Sequence, residues 1–133
     1  DDNVLKLVNK KETASQHLAA VKILKDAGIR AKAYWITGLP GETDETIELN
    51  KAFVKESQID KWTISTFTPY PGCAIFHRPG EFNIEITNFD WSKWWNFCEG
   101  GYNHILIGQT PSQIWARYKH FYAWLKSEVW KHE

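Results

Sequence analysis

A short turn, Gly38-Leu39-Pro40-Gly41-Glu42, contains the residues best suited to binding or catalysis, and it joins an apolar run to the start of a helix. Pro40 fixes one φ angle and Gly41 supplies a positive one, which predicts a type II turn, while Gly38 lets the backbone approach a neighbour closely. Glu42 could act as a general acid or base if a closed pocket perturbed its pKa. Alternatively, its carboxylate could only form a local ion pair or a local cap. Neither a Walker loop nor the three-glycine dinucleotide fingerprint is present, so the functional interpretation is a ligand site of another kind at a strand-to-helix turn.

A second stiff loop, Thr68-Pro69-Tyr70-Pro71-Gly72, ends the next apolar segment. Because the carboxyl ends of neighbouring parallel strands meet at one edge of a sheet, we expect the two loops to be neighbours. α/β proteins build their ligand sites at that edge, and two rigid loops there predict a preorganised site.

The segment between the two loops is typical of a βαβ unit. Residues 29–36 form a nearly continuous apolar run, as expected for a strand buried on both faces of a parallel sheet. Thr43 predicts the cap of a helix that runs to about residue 56, and residues 62–68 predict a second strand. The crossover between the two strands is expected to be right-handed.

Two helices are predicted before this unit. The first covers about residues 2–9. The second begins at Thr13 and Gln16, which have the spacing of a capping box, and it stops at Gly28. Neither helix carries residues that suggest chemistry, so both are interpreted as scaffold.

The region after the unit, about residues 78–109, lacks regular periodicity and is rich in aromatic side chains. A short strand is predicted over residues 102–107, and Ser112 predicts the cap of a long final helix. The rings could cover the open side of a barrel too short to close itself, or form a flat hydrophobic surface for a substrate such as a macrocycle. The rings of this region are Phe82, Phe89, Trp91, Trp94, Trp95, Phe97 and Tyr102. Both interpretations apply to the tryptophans of the last third of the chain, Trp91, Trp94, Trp95, Trp115 and Trp124.

Composition limits the classes of function. The 133 residues suffice for one domain, and 16 basic residues balance 16 acidic ones, which gives no electrostatic support to nucleic-acid binding. No stretch approaches the roughly 20 apolar residues of a membrane span, and no leader is recognisable, so a cytoplasmic location is expected. Two cysteines make no disulfide framework. The chain has no methionine and begins with Asp1, so we expect it to be a piece of a longer protein.

Four segments, read in order, resemble the C-terminal half of a radical S-adenosylmethionine (SAM) domain. The subgroup that they most resemble carries an N-terminal cobalamin-binding domain. The similarity covers about residues 3–77, and its segments are residues 4–10, 26–29, 36–43 and 68–72. Each motif is weak by itself, but the ordered set is specific.

The resemblance implies an α/β fold in two parts. Residues 1–77 would be the last βα units of a partial (β/α)6 TIM-like barrel, and residues 78–133 an aromatic-rich, mainly helical C-terminal cover. In the family a [4Fe-4S] cluster, bound by a three-cysteine loop after the first strand, reduces SAM and so generates a 5′-deoxyadenosyl radical that abstracts hydrogen from the substrate. That CxxxCxxC loop is absent here, since Cys73 and Cys98 are the only cysteines. The chain alone is therefore expected to be inert, with the cluster and any cobalamin on a missing N-terminal half of the same polypeptide.

The resemblance also assigns part of the SAM site. The family's fifth-strand motif packs against the adenine, and Ile36 is the expected contact; the loop after the sixth strand faces the SAM and substrate cavity. Cys73 stands where the commoner motif has threonine, and no catalytic residue or metal ligand is assigned. The implied cofactor-binding residues are Tyr34, Ile36, Gly38, Pro40, Gly41, Glu42 and Tyr70.

Two alternatives stay open beside this assignment. Cys73, His77, Cys98 and His104 could be brought together as a tetrahedral zinc site, although neither pair has a recognised finger spacing. The chain could also be a non-enzymatic aromatic-rich module that binds a partner protein or a sugar, in which case no three-cysteine loop would precede it in the parent gene. A half barrel also exposes the edge of its first strand, so self-association of the chain through residues 29–37 is expected.

Overall fold

The structure of the chain, a computed structural model, describes residues 1–94 and 103–129. Among the helices of these two ranges, none combines the length and the apolar character needed to cross a bilayer. The helices and strands are, in chain order, α1 (Asp2–Leu7), α2 (Ala14–Asp26), β1 (Lys32–Thr37), α3 (Asp44–Ser57), β2 (Lys61–Thr66), α4 (Ala74–His77), β3 (Ile84–Ile86), β4 (His104–Leu106) and α5 (Pro111–Val129).

The βαβ unit predicted from the sequence is confirmed. β1 and β2 pair in parallel, from Lys32 opposite Lys61 to Thr37 opposite Thr66, and α3 connects them. β3 and β4 form a separate antiparallel pair. The fold class is therefore α/β, while closure of the parallel strands into a partial barrel stays a prediction.

β1 begins at Lys32, three residues later than the apolar run suggests. The amide N–H of Gly28 donates to the carbonyl of Lys25, and the N–H of Ile29 donates to the carbonyl of Leu24. With a φ of +71° at Gly28, this is the Schellman arrangement that ends a helix. Ile29 therefore belongs to the C-terminal cap of α2 and is exposed, so an apolar side chain at this position does not report a strand.

The two faces of the parallel sheet have different environments, because successive strand residues point to opposite faces. Ala33 and Trp35 of β1 pack toward the helices. Tyr34 and Ile36 point the other way and are 73% and 46% exposed. The expectation of a strand buried on both faces is therefore wrong for the described chain, since its helices cover one face only.

α5 completes the helical side of the sheet. The ring of Phe121 meets the ring of Trp35 edge to face, with 5.4 Å between centroids. The rings of α5 lie on the side of the sheet that α3 also covers, because its apolar stripe packs against the core-facing residues of both strands. A cover over the open side of a barrel stays a prediction. The buried members of this core are Ile47, Val54, Ile59, Ile64, Phe121, Leu125 and Val129.

The start of α5 also differs from the prediction. Thr110 caps the helix: its amide N–H donates to Oε1 of Gln113 at 2.8 Å, and its Oγ1 accepts from the amide of Gln113 at 3.3 Å. Pro111 occupies the first helical position, which suits a residue without an N–H, so Ser112 lies inside the first turn. The strand predicted over residues 102–107 is β4, and Tyr102 lies outside the described residues.

Candidate functional site

The turn after β1 has the predicted geometry. The amide N–H of Glu42 donates to the carbonyl of Leu39 at 3.1 Å, and Gly41 has a φ of +79°, as a type II turn requires. Gly38 also has a φ of +79°. Two residues of the turn therefore adopt a backbone conformation that disfavours any side chain.

The loop after β2 starts beside this turn. The amide N–H of Phe67 donates to the carbonyl of Thr37 at 2.7 Å, which continues the pairing of the strands to the point where both chains leave the sheet. The side chain of Tyr70 in this loop is exposed, and its carbonyl accepts from the amide of Cys73 at 3.3 Å. The two loops are neighbours at the carboxyl edge, as the sequence predicted.

The seven proposed cofactor residues fall into two groups. Tyr34, Ile36, Gly41 and Tyr70 are exposed, and the first two lie on the uncovered face of the sheet. Gly38, Pro40 and Glu42 are buried within the turn. The exposed group is available to a ligand, and the buried group determines the shape of the turn; the assignment of all seven to SAM stays a prediction.

Glu42 is buried, and both oxygens of its carboxylate have partners within the chain. Oε2 accepts from the amide N–H of Gly38 at 2.8 Å, and Oε1 accepts from Nε of Arg117 at 3.0 Å. Arg117 also approaches Oδ1 of Asp44 at 3.5 Å. Burial raises the pKa of the Glu42 carboxyl, and the hydrogen bonds from Arg117 and from Gly38 oppose that rise. Glu42 therefore pairs internally, with a partner that lies on α5.

Two further side chains from the C-terminal region contact the turn. Nε2 of Gln109 donates to the carbonyl of Glu42 at 2.9 Å, and Oε1 of Gln109 accepts from the guanidinium of Arg117. Nε2 of His104 lies 3.0 Å from the carbonyl oxygen of Gly38, so this nitrogen carries the proton and donates. We call His104, Gln109 and Arg117 the C-terminal clamp, because all three contact the turn from β4, from the β4–α5 loop and from α5.

The sequence does not predict that these three residues contact the turn. Of the three, it suggests a role only for His104, and only as a candidate zinc ligand. A signal was present for Arg117. It lies three residues after Ile114 and four before Phe121, both fully buried, so it falls on the apolar stripe of α5. A charged residue on a core-facing stripe predicts a buried partner of opposite charge. The sequence does not say which carboxylate that partner is.

Lowering the pH is expected to weaken the fold through His104. Burial lowers the pKa of His104 from its usual 6.5, and the hydrogen bond to Gly38 opposes the shift. The unfolded chain therefore binds more protons between the folded pKa and 6.5, so this contribution to stability is complete above pH 6.5 and falls as the pH drops below it. Urea unfolding at a series of pH values between 7.5 and 5.5 measures the loss as a declining free energy of unfolding.

The matched variants for this measurement are His104→Gln and His77→Gln. Glutamine at position 104 keeps an N–H donor for the carbonyl of Gly38 but cannot titrate, so the variant is expected to lose this part of the pH dependence. His77 is exposed, so its replacement is expected to leave the wild-type profile. A profile in His104→Gln that still follows the wild type would contradict the assignment.

The zinc alternative gains no support from the described part of the chain, where no three His, Cys, Asp or Glu side chains are grouped closely enough for a metal ion. Sγ of Cys73 caps α4 by accepting from the amide of Phe76 at 3.4 Å. His104 donates to Gly38, as described above. Cys98 lies outside the described residues.

An aromatic cluster follows the second loop, and we define it as Phe76, Phe89, Trp91 and Trp94. The ring centroids of Trp91 and Trp94 are 4.7 Å apart, and those of Phe76 and Trp94 are 5.7 Å apart. Trp94 is buried, whereas the rings of Phe89 and Trp91 are exposed. The cluster therefore presents flat apolar surface to solvent, and its first member, Phe76, follows Tyr70 by six residues. Of the other predicted rings of this region, Phe82 packs against a second apolar core that contains Ile84 and Leu106. Trp95, Phe97 and Tyr102 lie outside the described residues.

Comparison with known proteins gives the superfamily of the chain. A sequence model described as the radical SAM superfamily matches residues 1–53, which include the turn. Over 120 residues the chain is 34% identical to the anaerobic magnesium-protoporphyrin IX monomethyl ester cyclase of Rubrivivax gelatinosus, covering 89% of this chain and 21% of that protein. The chain belongs to the radical SAM superfamily. The family inferred from the ordered motifs is therefore confirmed.

Other relatives show how widely this radical SAM segment occurs. The chain is 40% identical over 116 residues to the uncharacterized protein MJ1620 of Methanocaldococcus jannaschii, covering 86% of this chain and 19% of that protein. It is 27% identical over 123 residues to the tRNA-2-methylthio-N(6)-dimethylallyladenosine synthase of Ehrlichia chaffeensis, covering 89% and 28%. The chain spans about a fifth of the length of the first curated relatives it matches.

Membership of the radical SAM superfamily implies SAM and a [4Fe-4S] cluster, and the residues present fit only the first of these. The uncovered face fits an adenine ring, because Tyr34 and Ile36 expose apolar surface next to a turn of fixed backbone. The cysteines do not fit the cluster. The sequence holds two, not spaced as CxxxCxxC, and the described one, Cys73, caps a helix.

Proposed function

We propose that this chain forms one wall of the SAM pocket in a radical SAM enzyme, with Tyr34 and Ile36 against the adenine and Tyr70 near the substrate. The observation that supports this most directly is the uncovered sheet face, which ends in the Gly38–Glu42 turn. SAM supplies radical chemistry when it is bound beside a reduced cluster. The part of this chain is to bind and orient the cofactor, since it offers apolar surface and a shaped backbone but no cluster ligands.

The cluster, and any cobalamin, are proposed to lie on a preceding segment of the same polypeptide. The lack of a three-cysteine loop supports this division of labour. The isolated chain would then be inactive. Anaerobic reconstitution of the isolated chain with iron and sulfide is expected to give no [4Fe-4S] absorption spectrum, and a stoichiometric cluster would refute the division.

The aromatic cluster of Phe76, Phe89, Trp91 and Trp94 supports a proposal about the substrate. Exposed rings that follow the Tyr70 loop favour a flat, hydrophobic ring system, which would gain stacking contacts and lose contact with water on binding. The cyclase of Rubrivivax gelatinosus is named for such a macrocycle, whereas the Ehrlichia chaffeensis relative is named for a tRNA nucleoside. The names of the relatives therefore differ in substrate, and the proposal depends on the exposed rings.

The SAM wall is tested by Ile36→Asp in the full-length protein that contains this chain. A carboxylate at this position would lose its hydration against the adenine, so the dissociation constant for SAM is expected to rise about tenfold or more, equivalent to roughly 1.4 kcal/mol. Equilibrium dialysis with the cluster-loaded, unreduced protein measures the constant.

The matched control for this test is Ile23→Asp. Ile23 is 69% exposed on α2, so the same chemical change is made on another surface of the chain. Its SAM affinity is expected to match the wild type. Equal affinity in all three proteins would overturn the proposed wall. An upstream three-cysteine loop in the parent gene distinguishes the enzyme from a non-enzymatic binding module.

A further inference from the structure

We propose that the C-terminal clamp positions the SAM-facing turn, so that His104, Gln109 and Arg117 are positioning residues for cofactor binding although none of them touches the cofactor. The inference rests on the proposed function, because the turn matters for SAM only if the adjacent sheet face receives the adenine. It extends the site to residues 104–117, beyond the superfamily match over residues 1–53.

The first argument is the conformational freedom of the turn. Gly38 and Gly41 both have a φ of +79°, and glycine loses more conformational freedom on ordering than any other residue. The path of the turn must therefore be determined by its contacts. At Gly38 both backbone groups are bonded: the N–H donates to Glu42 at 2.8 Å, and the carbonyl accepts from His104 at 3.0 Å.

The second argument is that the turn is contacted from two sides. On one side the clamp binds Glu42 through both its carboxylate and its carbonyl. On the other side α1 packs closely, since a Cβ added to Gly41 would lie 2.8 Å from Cδ1 of Leu7. Arg117 also approaches Asp44 in the first turn of α3, so one guanidinium links the turn to the helix that follows it.

The third argument is the chemistry of the pair. Glu42 and Arg117 are only 4% and 8% exposed. A buried ion pair is often no more stabilising than apolar residues of the same volume, because both ions lose their hydration. The pair also restricts where the carboxylate of Glu42 can lie, because the planar guanidinium of Arg117 contacts Glu42, Asp44 and Gln109 at once. A gain in folding stability alone does not account for the buried pair of Glu42 and Arg117, whereas a role in positioning the turn does.

The test compares Arg117→Lys with Gln109→Leu in the full-length, cluster-loaded protein. Lysine keeps the positive charge beside Glu42 but loses the planar fork, and leucine removes both contacts of Gln109 while leaving the ion pair. Each variant is expected to weaken SAM binding in equilibrium dialysis by about tenfold, since small displacements of positioning groups have effects of about this size or larger. The loss is expected in KM for SAM more than in kcat.

The control variant is Arg30→Lys, because Arg30 is exposed and lies two residues before β1, at the opposite end of the strand from the turn. Its dissociation constant for SAM is expected to equal that of the wild type. Tm is measured for every variant, and dialysis is performed well below the lowest value. A fall in Tm with an unchanged dissociation constant in both clamp variants would show a purely structural role and overturn the inference. If Arg117→Lys does not fold, Gln109→Leu decides alone.

Ile36→Asp separates failure of this inference from failure of the proposed function. If Ile36→Asp weakens SAM binding and neither clamp variant does, the SAM wall stands and the positioning role is refuted. If Ile36→Asp and both clamp variants bind SAM as the wild type does, the wall and the clamp are refuted together.

Discussion

Replacing Arg117 by alanine is expected to lower the free energy of unfolding by about 3–5 kcal/mol. The substitution leaves the carboxylate of Glu42 buried with only the amide of Gly38 as a partner, and it removes the contact with Gln109. Domains of this size are stable by roughly 5–15 kcal/mol, so the loss is a large fraction of the total. Urea unfolding at neutral pH, followed by circular dichroism, measures it.

The pH dependence of this variant gives a second check. The Arg117 hydrogen bond opposes the rise in the pKa of Glu42, so its removal raises that pKa further. A carboxyl with a raised folded pKa favours the folded state when protonated, and this contribution is lost as the pH rises through the folded pKa. The deficit of Arg117→Ala relative to the wild type is therefore expected to shrink as the pH falls.

The double variant Glu42→Ala, Arg117→Ala is the matched control. It removes both charges, so no uncompensated ion remains buried, and it is expected to be more stable than Arg117→Ala alone. Arg78→Ala, which breaks an exposed pair with Glu81, is expected to cause no measurable change. A double variant as unstable as the single one would show that the loss comes from packing and not from the stranded carboxylate.

Replacing Phe121 by alanine is expected to cost about 3–5 kcal/mol, the usual range for a fully buried phenylalanine. The ring is fully buried, meets Trp35 edge to face with 5.4 Å between centroids, and lies 6.1 Å from the ring of Trp124. Its loss would leave a cavity where α5, α3 and the sheet meet. Urea unfolding measures the change, and a reduced apparent affinity for SAM in the full-length protein is expected to follow if α5 shifts.

Tyr122→Ala is the neighbouring control for this prediction. Tyr122 is exposed, and its ring meets that of Trp62 at 5.4 Å, so it contributes one aromatic contact without filling the core. Its loss is expected to be clearly smaller than that of Phe121→Ala. Equal losses would show that α5 does not dock through Phe121 as the structure indicates.

Local features of this chain were predictable from the sequence alone. The capping box of Thr13 and Gln16 forms as its spacing predicts, and Thr43 accepts from the amide of Thr46 at the start of α3. The Pro40-Gly41 turn, the parallel pairing of the two strands and the superfamily likewise follow from motifs. Each of these depends on residues a few positions apart, or on an ordered set of motifs.

Predictions failed where two local patterns competed for the same residues. The apolar run predicts a strand at Ile29, but Ile29 caps α2, because Gly28 allows the helix to end in a Schellman arrangement that uses the amide of Ile29. The sequence predicts Ser112 as the cap of α5, but Thr110 caps the helix and Pro111 starts it. An apolar residue such as Ile29 suits both a strand and a helix cap, and Thr110 and Ser112 can both cap a helix. The sequence alone therefore does not say which of the two structures forms.

The sequence by itself determined the family, the βαβ unit and the chemistry of the turn at Gly38–Glu42. Only the tertiary structure decided which face of the sheet α5 covers, which side chains stay exposed, and that Arg117 is the partner of Glu42, 75 residues away. The physical reason is that the docking of α5 depends on contacts between residues far apart in the sequence, such as Phe121 with Trp35. The choice depends on the summed packing of Phe121, Leu125 and their neighbours, and a contact such as Arg117 to Glu42 exists only after that choice is made.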